Sequence, residues 1–159
     1  MSPFSKSDLR FHAGLLLLAL CAGCAGLHAP RTALDAARQH DPAGQWDAQS
    51  VLEADFDQDG RADYALLGHR KDRVVVAVVR GPLAPGTPVW TLEFPVKGGG
   101  EDALCSANAK LTVEPLGDEA KTRRGGGSQG VGLNLHDDKC DAFHIFWNPE
   151  KKKFEWWRL

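Results

Sequence analysis

The chain has 159 residues with 19 basic against 21 acidic side chains, a formal net charge of −2. A basic excess is the electrostatic footprint of nucleic-acid binding, and its absence here speaks against that class. The length suits one domain, and 43% hydrophobic residues are enough to build a packed core rather than a disordered chain.

In chain order the first feature is an export signal. Lys6 and Arg10 supply a positive start, Leu15, Leu16, Leu17, Leu18, Ala19 and Leu20 supply a short apolar core, and small residues follow. The apolar and small stretch over 13–26 is about fourteen residues, short of the roughly 20 that a membrane-spanning helix needs. Residues 1–23 therefore read as a cleavable signal peptide and not as a permanent anchor. The segment Leu20-Cys21-Ala22-Gly23-Cys24 resembles the bacterial lipobox, with Cys21 standing where that pattern has Leu. The resemblance implies lipidation at Cys24, the membrane as a partner through that lipid, and a place on the periplasmic side of a bacterial membrane. Ordinary cleavage a few residues later would instead give a soluble periplasmic or secreted domain. Cleavage before Cys24 removes Lys6, Asp8 and Arg10, leaving 136 residues and a formal charge of −3.

Residues 24–49 mix Ala, His, Pro and Arg without strand periodicity and read as a tether, in which 31–39 has helix-forming residues preceded by Pro30. From 50 to 159 the pattern becomes short apolar or alternating runs parted by Gly, Pro and Asp. This predicts a mainly β fold: a single antiparallel domain, sandwich-like or one strongly curved sheet. Strands are expected over 50–54, 64–69, 74–80, 89–95, 110–114, 131–136, 142–147 and 154–158. The run Val74-Val75-Val76-Ala77-Val78-Val79 is apolar on both faces and predicts a central strand covered on both sides. Residues 81–88 and 117–130 read as loops, the second rich in glycine.

The informative motif is Asp55-Phe56-Asp57-Gln58-Asp59-Gly60-Arg61-Ala62-Asp63. Calcium takes six to eight oxygens, alternate carboxylates in a tight loop can converge on one ion, and Gly60 permits the sharp turn. The twelfth position from Asp55 is Leu66 where an EF-hand has Glu, which excludes that motif. The incoming run Val51-Leu52-Glu53-Ala54, the acidic spacing and the following Tyr64-Ala65-Leu66-Leu67 resemble the calcium-binding hairpin of FG-GAP and VCBS-type repeats. The resemblance implies calcium held by the side chains of Asp55, Asp57, Asp59 and Asp63 and the backbone carbonyl of Arg61. Those families repeat the unit, and no second copy occurs in this sequence, so a closed propeller is not expected. The alternative is a polar turn in which the Asp side chains cap backbone amides.

Cys105 and Cys140 remain after cleavage as an even pair, which an oxidising compartment would join as a disulfide. Two free thiols, or a metal site of Cys140 with His136 and His144, are the alternatives. The Gly126-Gly127-Ser128-Gln129-Gly130 run lacks the strand and helix of a nucleophile elbow, and Gly125, Gly127 and Gly130 lack the strand and helix of a dinucleotide site. Asp137, Asp138 and Asp141 read as a solvated turn or a further cation contact. The cluster Arg70-Lys71-Asp72-Arg73 and the run Lys151-Lys152-Lys153 read as solvated turns or as contacts for lipid headgroups or another anionic partner. Trp46, Trp90, Trp147, Trp156 and Trp157 read as core or as a stacking platform for sugar or peptide. The sequence thus points to a non-enzymatic envelope module with an envelope protein or glycan as partner. A hydrolase or enzyme inhibitor with an unrecognised cleft is the alternative.

Overall fold

Strand alternation in this chain resolves into two antiparallel sheets that share one core. The computed structural model describes residues 25–123 and 130–158. The segment 1–23 expected to be a signal, Cys24 and the glycine-rich part of the serine and dinucleotide motifs at 125–129 lie outside these residues.

The elements are α1 (Ala25–His40), β1 (Gln45–Trp46), β2 (Leu52–Ala54), β3 (Asp63–Arg70), β4 (Arg73–Val79), β5 (Val89–Pro95), β6 (Lys110–Pro115), α2 (Asp118–Arg123), β7 (Val131–His136), β8 (Phe143–Asn148) and β9 (Lys153–Trp157). One sheet has the order β1-β3-β4-β5, with β2 also pairing β3, and the other is the meander β6-β7-β8-β9. The fold is mainly β, as the alternation predicts. Ala65, Leu67, Val74, Val76, Val78 and Phe94 of the first sheet meet Leu111, Leu133, Leu135, Phe143, Ile145 and Phe154 of the second in the shared core. The opposite face of the first sheet packs Leu66, Val75, Ala77 and Val79 under Ala33, Leu34 and Ala37 of α1. Val74 through Val79 are therefore fully buried from both sides, as their uninterrupted apolar run requires.

The segment 24–49, read from sequence as a tether, instead carries α1 and β1. The helix extends upstream of the expected 31–39 and takes Pro30 inside it, while Arg38 and His40 in its last turn complement the helix dipole. Trp46 holds the following strand in place. Its indole covers Gly68, where a Cβ would lie 2.6 Å from the ring, and Nε1 donates to the carbonyl of Asp41 at 3.2 Å. The expected strand 50–54 is shorter because Asp47 caps a turn of 3-10 helix over Ala48–Ser50.

The predicted loop 117–130 contains α2, whose Ala120 joins Leu116, Phe146 and Trp157 in a small apolar cluster on the outer face of the second sheet. Trp156 packs toward the inter-sheet core on the opposite face from Trp157, in keeping with strand alternation. Trp90 lies edge-on to Trp147 at 5.2 Å and to Phe154 at 5.6 Å. Trp46 and Trp157 are thus buried, and Trp90, Trp147 and Trp156 are half-buried against the core. Among the described residues no helix is long and apolar enough to cross a membrane.

Candidate metal centre

The acidic motif forms the turn between β2 and β3, and its geometry starts from Phe56. That side chain is 1% exposed and lies in the inter-sheet core, so the loop is pinned at its second residue while the flanking aspartates face the turn. Gln58 and Gly60 take positive φ of 61° and 85°, which curls the backbone back on itself. Asp63, the first residue of β3, is almost fully buried. Its Oδ2 accepts from the amides of Phe56 and Asp57 at 3.1 Å each, and its Oδ1 accepts from Gly81 at 2.9 Å. One carboxylate therefore ties the loop to itself and to the end of β4.

Asp55, Asp57 and Asp63 each present one oxygen within 4.8 Å of the others. Calcium–oxygen distances run about 2.3–2.6 Å, so oxygens spaced this way can share one ion, and an all-carboxylate donor set suits a hard cation. Asp59, also in the expected ligand set, is placed differently. Asp59 Oδ1 accepts from the Arg61 amide at 3.0 Å, and its Oδ2 meets the guanidinium of Arg80 at 2.7 Å. Arg61, whose expected ligand atom is the backbone carbonyl, is an exposed residue of the loop. Asp55 accepts from the amides of Asp59 and Gly60, so part of the acidic motif caps the turn as well as converging on a point.

Arg80 is the residue that sequence reasoning missed. It follows β4 and reaches across to Asp57, with Nε 2.8 Å from Oδ2. Its position 17 residues beyond the end of the motif hides it, and only the β3–β4 pairing brings it there. Burial pushes the carboxyl of Asp57 above the ordinary aspartate range; Arg80 opposes this, and the charges of Asp59 and Asp55 add to it. Burial also raises Asp63, against the three amide bonds it accepts. Four carboxylates against one bridging guanidinium leave the loop with excess negative charge.

The expected cysteine pair is joined: Cys105 and Cys140 form a disulfide with their Cα atoms 5.9 Å apart. This removes Cys140 from any metal set with His136 and His144. His136 pairs instead with Asp138 at 2.9 Å. His144 Nδ1 lies 2.8 Å from Glu114, which also accepts from Asn134 at 3.0 Å, and the imidazole stacks on Trp157. This orients the ring, and among the described residues no hydroxyl or thiol is bonded to it. Asp137 is buried and caps the turn before the disulfide, accepting from Lys139 and Cys140 at 3.0 Å each and from Ser106 at 2.6 Å. Burial pushes its carboxyl up, but these amide bonds prevail and hold it below the usual range. It is a structural cap of the turn, while Asp138 is solvent-exposed and paired with Lys110. No family model, no curated protein and no solved structure matches this chain.

Proposed function

We propose that this chain is an exported, lipid-anchored protein of the bacterial envelope whose β2–β3 hairpin is stabilised by calcium and which serves as a non-catalytic binding module. The observation that carries the reading is the approach of Asp55, Asp57 and Asp63 to within 4.8 Å through one oxygen each. Arg80 offsets part of the charge in the loop, and a divalent ion would offset most of the remainder. When bound, calcium would supply that charge and tie β2 to β3; Asp55, Asp57 and Asp63 would hold it. Extracellular calcium modules typically bind with dissociation constants of about 10⁻⁴ to 10⁻³ M, which suits a compartment rich in the ion. The disulfide is in keeping with an oxidising location. An envelope protein or glycan is the kind of partner such a module would meet.

A thermal melt tests the calcium. At about 10 mM calcium an affinity in that range adds roughly 1.4–2.7 kcal/mol. At about 3 °C per kcal/mol for a chain of this size, Tm rises by about 4–8 °C over chelator. Asp57→Ala should abolish the rise. If chelator leaves Tm unmoved, or Asp57→Ala in calcium melts like the parent, the calcium reading fails. Mass spectrometry of the mature N-terminus checks the lipid on Cys24.

A further inference from the structure

At the opposite end of the first sheet from the acidic loop, basic side chains from three separate segments surround one cavity of about 520 Å³. His69, Lys71 and Arg73 come from the β3–β4 hairpin, Lys97 follows β5, and Lys139 follows β7. Asp72 is the acidic residue on the lining. Arg73 shares Glu93 with Arg70. The ammonium groups of Lys71, Lys97 and Lys139 have no ion pair or hydrogen bond among the described residues. In a chain with more acidic than basic residues, this convergence is not a by-product of composition.

The hairpin backbone and the disulfide shape this cavity. Lys71 and Lys97 hold φ of 54° and 63°, a left-handed conformation that turns normally give to glycine or asparagine. The disulfide then fixes the walls against each other, because Ser106 and Lys139 are the immediate neighbours of Cys105 and Cys140. The acidic loop does not cancel this charge. Asp63 and Arg70 stand at the two ends of β3, about 23 Å apart at the usual rise per residue. That is well beyond the roughly 8 Å screening length at physiological salt.

We propose that this cavity binds a phosphate group carried by a soluble small molecule. Three unpaired ammonium groups less the Asp72 carboxylate leave a surplus of two positive charges, which matches a phosphate monoester carrying about −1.5 to −2 at neutral pH. The volume falls in the usual range for small-molecule sites, about 300–1,000 Å³, and exceeds what a bare phosphate fills. The choice of a soluble source over a headgroup of the anchoring membrane rests on the proposed lipid at Cys24. The C-terminal end of α1 meets the basic end of the sheet through Asp41 and Arg70, 3.6 Å apart, so the start of α1 next to Cys24 is about 24 Å away along the helix.

Calorimetric titration of the full chain with inorganic pyrophosphate in calcium-free buffer tests the site. Saturable binding is expected, weakened at least about tenfold by Lys71→Gly combined with Lys97→Gly. Because glycine accepts the left-handed backbone, that variant should melt no lower than the parent, which separates lost binding from lost folding. Lys151→Gln, which removes a lysine paired with Glu155, should leave binding unchanged. Absence of saturable binding overturns the proposal, as does an equal loss in Lys151→Gln. Binding to phosphatidylglycerol–phosphatidylcholine vesicles without binding of pyrophosphate overturns it in favour of a headgroup. None of these outcomes depends on whether the acidic loop takes calcium, which the melt decides.

Discussion

Replacing Asp63 by asparagine separates two duties that the acidic loop combines. The carboxylate is 1% exposed and accepts three backbone amides, from Phe56 and Asp57 on one oxygen and from Gly81 on the other. Asparagine keeps the shape but offers one oxygen. Whichever way it turns, at least one buried amide then faces an NH₂ group. A buried donor left without a partner costs about 1–3 kcal/mol, and bonds that were charge-assisted become neutral ones worth about 1 kcal/mol. Against this, burial already holds the Asp63 carboxyl above its ordinary range, so removing the charge recovers part of the loss. The net is about 2–3 kcal/mol, the lower part of what the bonds alone would give. At about 3 °C per kcal/mol, the variant should melt about 6–9 °C below the parent in chelator. In calcium the gap should widen, because a ligand is also lost. Circular dichroism melts of both proteins in both buffers measure this. A variant within about 2 °C of the parent in chelator would refute the argument that Asp63 organises the loop through its amide bonds.

Gly81→Ala should destabilise the fold by about 3 kcal/mol or more, since a Cβ there would lie 1.9 Å from the carbonyl oxygen of Ala62 and must part the hairpin from β4. A chemical denaturation midpoint far below the parent's is the expected result. Asp137→Asn should be destabilising in a pH-dependent way. The folded carboxyl titrates below its unfolded value, so its stabilisation is fully present above about pH 4 and is lost as pH falls through the folded pKa. The gap in Tm between parent and variant should therefore be open at pH 7 and close on acidification below about pH 4. Replacing Cys105 and Cys140 by serine opens a loop with a sequence separation of 35, worth roughly 4 kcal/mol by chain entropy. The same loss should follow from reductant acting on the parent, read as a lower denaturation midpoint.

The strands of this protein were legible in the sequence because a strand declares itself locally. Alternation in 131–136 sends Leu133 and Leu135 into the core and Asn134 to the outer face, and the unbroken Val74–Val79 run marks a strand buried on both sides. The acidic loop was legible for the same reason, since its aspartate spacing is contained within nine consecutive residues. The cysteine pair needed only counting. What the sequence did not reveal depends on partners far along the chain. The two-residue strand β1 exists because Trp46 finds Gly68 without a side chain, and α2 is held by Ala120 against Phe146 and Trp157. Arg80 enters the acidic loop, and Lys71, Lys97 and Lys139 gather round one cavity, through strand pairing and the disulfide. Local patterning thus determined the longer strands and the acidic turn between two of them. Long-range packing alone decided which cations meet them, which amides Asp63 holds and where the positive charge collects, because those energies arise only when distant residues share a neighbourhood.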